Sequence, residues 1–324
     1  MKTAILYAGQ GSQHAGMGKD FYEASETFRN AFDAAELSFD LHKMCFEDLD
    51  GLLNQTEYTQ PCMTAFAMGV SAMLKEKNVQ IDYAAGLSLG EYSALAYAGV
   101  LDPKTTVETV AFRGQAMKDA AEGIDCGMAA IMNLEEEKLQ ECCDAAASEG
   151  VVSICNFNCP GQLVISGEKK AVEKASALAS EAGARRCIPL KVSGPFHTSF
   201  MAPAGEKLKE RFQSLTFSPM QIPVMFNYLG REITASDLNG EEVTPESASK
   251  AIPELLVNQV QKSVRMEMII RRMLELGVDT FIEVGPGKTL SGFVKKTAKA
   301  VGTDNYRTFS IDTLEDFNTL LSEL

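Results

Sequence analysis

Apolar residues follow two alternating textures along the chain. Short apolar runs of strand length occur at residues 4–8 and 83–85, and further strands are predicted at 219–227, 280–284 and 308–311. Between them lie stretches in which apolar side chains recur at helical spacing: residues 20–37, 61–77, 91–98, 105–122, 251–276 with a break near 259–263, and from 290 onward. A continuous apolar run predicts a strand covered on both faces, and the longer period predicts a helix lying against it. Strand then helix, repeated, predicts a mostly parallel sheet with helical crossovers. Such a sheet would gather the loop at Gly9-Gln10-Gly11-Ser12-Gln13, the turn at Ser88 and the turn at Gly285-Pro286-Gly287-Lys288 along one edge. Two prolines punctuate the helices: Pro61 reads as a helix start, and Asp102-Pro103 separates two helical stretches.

The texture changes between residues 126 and 192. Strand patterns at 128–132, 151–157, 162–166 and 186–192 enclose helical patterns at 135–148 and 169–182, with a turn at Asn158-Cys159-Pro160-Gly161. The order β-α-β-β-α-β is that of a ferredoxin-like split unit. The expected fold class is α/β: a large α/β-hydrolase-like parallel-sheet domain, residues 1–125 and 193–324, with an inserted ferredoxin-like subdomain, residues 126–192. The 324 residues suffice for this arrangement.

Charge and cysteine content narrow the function classes. A net charge of −14 argues against nonspecific binding to nucleic acid. No apolar run approaches a membrane span, and the short apolar stretch at the N-terminus does not read as a signal peptide. The eight cysteines include no C-x-x-C pair, so reduced thiols of a cytoplasmic protein are expected rather than a metal site. The first glycine loop is not a dinucleotide fingerprint, because the third glycine of G-x-G-x-x-G would fall on His14.

Gly86-Leu87-Ser88-Leu89-Gly90 carries the candidate chemistry. It reads G-x-S-x-G between a strand and a helix, the setting of a nucleophile elbow. The helix that follows would direct its positive N-terminus toward an oxyanion at the same place. The pattern alone is expected by chance about 0.1 times in a chain of this composition, so its partners must carry the reading. Of the three histidines, His42 reads as solvated and His14 follows a glycine loop. His197, in Ser193-Gly194-Pro195-Phe196-His197-Thr198, is the best placed as a base. Arg113 lies among Val107, Val110, Ala111 and Phe112, either as a surface residue on the polar side of a helix or as a cation turned toward a site.

Taken together, these stretches resemble the malonyl-CoA:acyl carrier protein transacylases, acyltransferases of fatty acid and polyketide synthesis. The matching segments are Gly9-Gln10-Gly11-Ser12-Gln13, Gly86-Leu87-Ser88-Leu89-Gly90-Glu91, Arg113-Gly114, Asn156-Phe157-Asn158-Cys159-Pro160-Gly161-Gln162, Gly194-Pro195-Phe196-His197, Asn258-Gln259 and Glu283-Val284-Gly285-Pro286-Gly287. They follow the family's order over nearly the whole chain. Two departures stand out: Leu87 replaces a histidine common before the nucleophile, and no proline–tryptophan pair follows Gln259.

The resemblance implies ping-pong transfer of a malonyl group from malonyl-CoA to the phosphopantetheine thiol of acyl carrier protein. It makes Ser88 the nucleophile and His197 the general base and acid. It implies an oxyanion hole from the backbone N–H groups of Gln10 and Leu89, and a Gln259 backbone carbonyl that orients the imidazole. Arg113, Phe196 and Asn158 would bind substrate, Phe196 being similar to malonyl-selective members. No metal or other cofactor is implied. Basic residues Arg185, Arg186 and Lys191, or Lys295, Lys296 and Lys299, would meet an acidic carrier protein. Two other readings compete. A serine thioesterase or hydrolase would place its acid between the serine and a late histidine, whereas a long strand–loop–helix segment follows His197. A catalytically silent carrier-protein binding module would not need both Ser88 and His197.

Overall fold

The computed structural model describes residues 2–324. Two four-stranded sheets organise them. The larger is built from β1 (Thr3–Tyr7), β2 (Tyr83–Gly86), β7 (Thr280–Val284) and β8 (Arg307–Ile311) in the order β2-β1-β7-β8, all neighbours parallel. The smaller contains β3 (Cys126–Met132), β4 (Val152–Cys159), β5 (Gln162–Glu168) and β6 (Arg186–Leu190) in the order β4-β5-β3-β6, all neighbours antiparallel.

The helices around the larger sheet include α1 (Lys19–Ala24), α2 (Glu26–Phe32), α3 (Thr56–Glu76), α4 (Gly90–Tyr97) and α5 (Pro103–Ala121). The smaller sheet carries α6 (Glu136–Ala145) and α7 (Lys169–Glu181). The chain returns through α8 (Ala202–Phe212), α9 (Pro245–Gln261), α10 (Met266–Glu275), α11 (Thr289–Val301) and α12 (Leu314–Glu323).

Alternation along β1 explains the layering. Ile5 and Tyr7 join an apolar cluster with residues of α3, α4 and α5, whereas Ala4 and Leu6 face a second cluster with Ile269, Ile270 and Met273 of α10 and Leu290 and Phe293 of α11. Successive side chains of a strand point to opposite faces, so a strand covered on both sides must be apolar throughout. The smaller sheet is likewise two-faced. Ala129, Ile131, Ile154 and Ile165 pack with α6 and α7, while Met128, Ala130 and Val164 turn toward the large cluster.

Three expectations are corrected. Residues 20–37 do not make one helix, because Ser25 adopts an extended conformation and its side chain accepts from the Phe28 N–H, starting α2 afresh. α3 begins at Thr56, so Pro61 lies inside the helix rather than at its start. Residues 219–227 form no strand. A single parallel bridge, Ala84 to Val224, extends the β2 edge, and Pro223 has no N–H with which to lengthen it.

The smaller sheet is tied at a bulge to the segment between α9 and α10. Between Ile154 and Asn156 the register of β4 against β5 slips. The Cys155 carbonyl instead accepts from the Val264 N–H, the Phe157 N–H donates to the Val264 carbonyl, and Ser263 Oγ donates to the Ile154 carbonyl. Asn156 is thereby bridged to Val264 in the segment between α9 and α10.

Candidate active site

The turn after β2 carries Ser88. Its φ of 55° lies in the left-handed region. A Cβ on Gly86 would overlap the Gly90 backbone, and one on Gly90 would overlap the Tyr7 carbonyl, so neither flanking position accepts a side chain without movement. Six non-glycine residues have positive φ among those described: Asp48, Asn78, Asn133, Asn239, Ser88 and His197. The first four are Asp or Asn, which with histidine are the residues most often found in this conformation, so Ser88 is the exception. The left-handed backbone of Ser88 is a strain of the kind that concentrates at functional sites.

The two side chains meet. Ser88 Oγ lies 2.8 Å from His197 Nε2, and His197 Nδ1 lies 2.8 Å from the Gln259 carbonyl oxygen. That carbonyl belongs to the last turn of α9, where helical carbonyls lack intrahelical partners. A carbonyl only accepts, so Nδ1 carries the proton and Nε2 is left to accept from the serine hydroxyl. Burial disfavours the imidazolium, and the Arg113 charge adds to this, so the His197 pKa is pulled down to about 4. The ring is therefore neutral at physiological pH, the form a general base requires.

Arg113, on α5, has no exposed surface. Its Nη2 donates to Ser88 Oγ at 3.0 Å and to Gln259 Oε1 at 3.1 Å, and its Nη1 donates to Gln60 Oε1 at 2.7 Å. The guanidinium lies 5.6 Å from the Tyr92 ring centroid, and its Nε is without a partner. Among the described residues no carboxylate forms an ion pair with it. A buried cation held by neutral acceptors retains capacity for an anionic ligand.

A cavity of about 310 Å³ opens in front of Ser88. Gln10, Leu89, Phe196, His197 and Asn158 all line it. Among the described residues no protein acceptor is bonded to the Gln10 or Leu89 N–H. Asn158 is buried with its Oδ1 unpartnered. Met128, Val164, Leu190 and Val192 supply an apolar side to the cavity. His14 is elsewhere, bonded to Asp312, and His42 pairs with Asp33 near the surface.

The sequence reading missed two residues and left a third without a role. Gln60 on α3 is buried and holds the Arg113 fork. Asn227 is buried and bonds to the elbow backbone. Glu91, in the first turn of α4, accepts from the Asn227 N–H, and burial raises its pKa to about 8. The available signal was a polar residue beside an apolar run, as in Thr59-Gln60-Pro61-Cys62-Met63 and Met225-Phe226-Asn227, which marks a buried polar group but not its partner.

The acyl transferase domain family matches residues 5–312 of the chain. The chain belongs to that family. Malonyl CoA-acyl carrier protein transacylase of Bacillus subtilis (strain 168) is 42% identical over 305 residues, covering 93% of this chain and 92% of that protein. The crystal structure of MCAT from Streptococcus pneumoniae superposes on this acyltransferase with a TM-score of 0.89 at 41% identity, covering 100% of both chains. A structure described as a type II PKS acyl-carrier protein in complex with its malonyl-transacylase, PlMCAT:AntF, gives a TM-score of 0.89 at 32% identity, again covering 100% of both. The α/β fold of this acyltransferase, with one parallel and one antiparallel sheet, agrees with these structures. No helix among the described residues is long and apolar enough to cross a membrane.

Proposed function

We propose that this acyltransferase moves a malonyl group from malonyl-CoA to the phosphopantetheine thiol of acyl carrier protein through a malonyl-serine intermediate. One observation carries the reading: the buried Arg113 guanidinium, in no ion pair among the described residues, stands 3.0 Å from Ser88 Oγ. Malonyl differs from acetyl by one carboxylate, and a guanidinium fork can bond both of its oxygens at once. The names of the relatives above support the same substrate pair.

In the first half-reaction Ser88 Oγ attacks the thioester carbonyl while His197 Nε2 takes the hydroxyl proton. The oxyanion is met by the N–H groups of Gln10 and Leu89, the donors free to receive it. The intermediate collapses with cleavage of the carbon–sulfur bond, and His197 returns the proton to the departing CoA sulfur. In the second half-reaction the carrier thiol gives its proton to His197 and attacks the acyl-serine carbonyl. Ser88 Oγ then leaves with the proton restored. The imidazolium is stabilised by a backbone carbonyl rather than by a carboxylate, so the machinery is a dyad. A thioester has a good leaving group and a neutral histidine supplies the base, so we expect no metal or other cofactor to be needed.

The apolar side of the cavity, with Asn158, would hold the pantetheine arm, and Phe196 would border the acyl end. We further infer a catalytic unit of residues 1–125 and 193–324 with residues 126–192 inserted as a separate unit, a division supported by the cluster that one face of the smaller sheet forms with α6 and α7. Eight unpaired cysteines support a reducing compartment, hence the cytoplasm. The exposed Lys191 follows the cavity-lining Leu190, while Arg185 and Arg186 stand at the other end of β6, and Lys296 reaches the cavity-lining Gln162 at 3.4 Å. Through Lys191 and Lys296 both basic clusters would border the mouth where a carrier protein docks. Charge reversal at both clusters should slow transfer to carrier protein without slowing acylation by malonyl-CoA; an unchanged transfer rate would remove this surface.

Intact mass after mixing with malonyl-CoA, acetyl-CoA and methylmalonyl-CoA in parallel tests the main reading. The expected result is a malonyl adduct that disappears on adding carrier protein, with malonyl appearing on the carrier. Rapid release of free malonate would indicate a hydrolase, and no adduct with any donor would indicate a silent module.

A further inference from the structure

The chain leaves β2 after Gly86, and the parallel ladder with β1 ends at the Leu87 N–H. The Leu87 N–H is met by the Tyr7 carbonyl at 2.9 Å. The groups on either side of it are met by one side chain. Asn227 Oδ1 accepts from the Ser88 N–H at 2.7 Å, and Asn227 Nδ2 donates to the Gly86 carbonyl at 2.7 Å. Asn227 is itself fixed through its backbone. Its N–H donates to Glu91 Oε2 at 2.5 Å, and its carbonyl accepts from the Arg265 N–H at 3.0 Å. The bridge at Val224 sets its approach to β2.

We propose that Asn227 is a positioning residue that holds Ser88 in its left-handed conformation and takes the Ser88 N–H out of the oxyanion site. The inference rests on the reading of Ser88 as the nucleophile. The Ser88 carbonyl is likewise taken, by Gln259 Nε2 at 2.7 Å. With both backbone groups of Ser88 engaged, the unpartnered Leu89 N–H is the elbow donor left for the oxyanion. A side chain with one acceptor and one donor at the spacing of a peptide is needed for the double bond, and asparagine supplies both. A neutral aspartic acid supplies both as well, its second oxygen donating to the Gly86 carbonyl. An aspartate does not, and it would face the Gly86 carbonyl and Glu91 with a negative charge.

The test compares Asn227→Ala and Asn227→Asp with the parent chain between pH 5 and pH 8. Two readouts are taken: acylation of Ser88 by malonyl-CoA, and its modification by phenylmethylsulfonyl fluoride, a serine reagent that needs no malonyl pocket. Asn227→Ala should lose about 100-fold or more in the rate of acylation, with KM for malonyl-CoA changed less than about threefold, and should lose reactivity toward the sulfonyl fluoride as well. Asn227→Asp, expressed as a ratio to the parent chain at each pH, should come within about tenfold at pH 5 and fall at least a further tenfold by pH 8 as the carboxyl ionises. The ratio removes the parent chain's own titration, to which Glu91 and His197 contribute beside the charge of Arg113. If Asn227→Ala keeps its rate within about threefold, or if Asn227→Asp shows a ratio independent of pH while folded by near-ultraviolet circular dichroism, the proposal is overturned. Should Asn227→Ala not fold, the pH dependence of Asn227→Asp decides alone. A parent chain that reacts with the sulfonyl fluoride but takes no malonyl would overturn the substrate reading and leave the positioning role standing.

Discussion

The two sides of the cavity are built on opposite plans. The side supplied by the large sheet is a polar lattice: Arg113, Gln60, Gln259, Asn227, Ser88 and His197 are bonded to one another in a water-poor setting, with Arg113 Nε the member atom left open. The side supplied by the small sheet is apolar, with Met128, Val164 and Leu190, and its Asn158 keeps an unpartnered oxygen. A lattice whose members satisfy each other is rigid and intolerant of loss, because each deletion strands a buried partner. An apolar wall with one open acceptor can receive a flexible arm and loses little when one contact goes. Chemistry on one side and tolerance on the other is what the difference teaches, and each substitution below probes one plan or the other.

The largest effect is expected at Ser88. Ser88→Ala should form no malonyl adduct by intact mass while retaining the parent chain's circular dichroism; an adduct on the variant would place the nucleophile elsewhere. Next comes His197→Ala, which should slow acylation by about two to four orders of magnitude. A variant transferring at a near-normal rate would mean that water or another group takes the proton.

The same histidine fixes a pH limb. Burial and Arg113 disfavour its protonated form, so activity should hold as pH falls through 6.5 and be lost near 4. An unfolded chain binds this proton at the ordinary value near 6.5, so it holds more protons than the folded chain between about 4 and 6.5. The contribution of His197 to stability therefore declines as pH falls through that window. A kinetic midpoint near 6.5 would show an imidazole much more open to water than the structure has it.

Arg113→Ala should lower kcat/KM for malonyl-CoA by about two to three orders of magnitude, from a charge-assisted bond of about 2–5 kcal/mol. Acetyl-CoA should be affected far less. Equal losses for both donors would make Arg113 a lattice member that does not read the carboxylate. Asn158→Ala, on the tolerant side, should raise KM for malonyl-CoA by no more than about tenfold and leave kcat nearly unchanged, the size of one hydrogen bond. A large drop in kcat would break the comparison.

Much of this was readable in the chain, and for a definable reason. Strands β1 and β2 lie in short apolar runs because both their faces are covered, and the elbow glycines stand where backbone meets backbone. Those constraints are local, so they leave local marks. The 219–227 segment misled because its apolar residues resemble a strand, while Pro223 limits it to one bridge. Gln60 and Asn227 escaped notice because nothing in their own segments says which distant group they bond. Gln60 meets Arg113 across 53 positions, and Asn227 meets Ser88 across 139.

The slipped register in β4 has a mechanical consequence. β4 is an edge strand, and its outward groups bond to the segment just beyond the carbonyl that steadies His197. Parting the two sheets would require breaking the bonds at Val264 and Ser263, each worth about 1 kcal/mol, before any width was gained. The same displacement would tug on the end of α9 and turn the imidazole away from the serine. The edge of the small sheet and the carbonyl that orients the imidazole are therefore mechanically linked through residues 259–264.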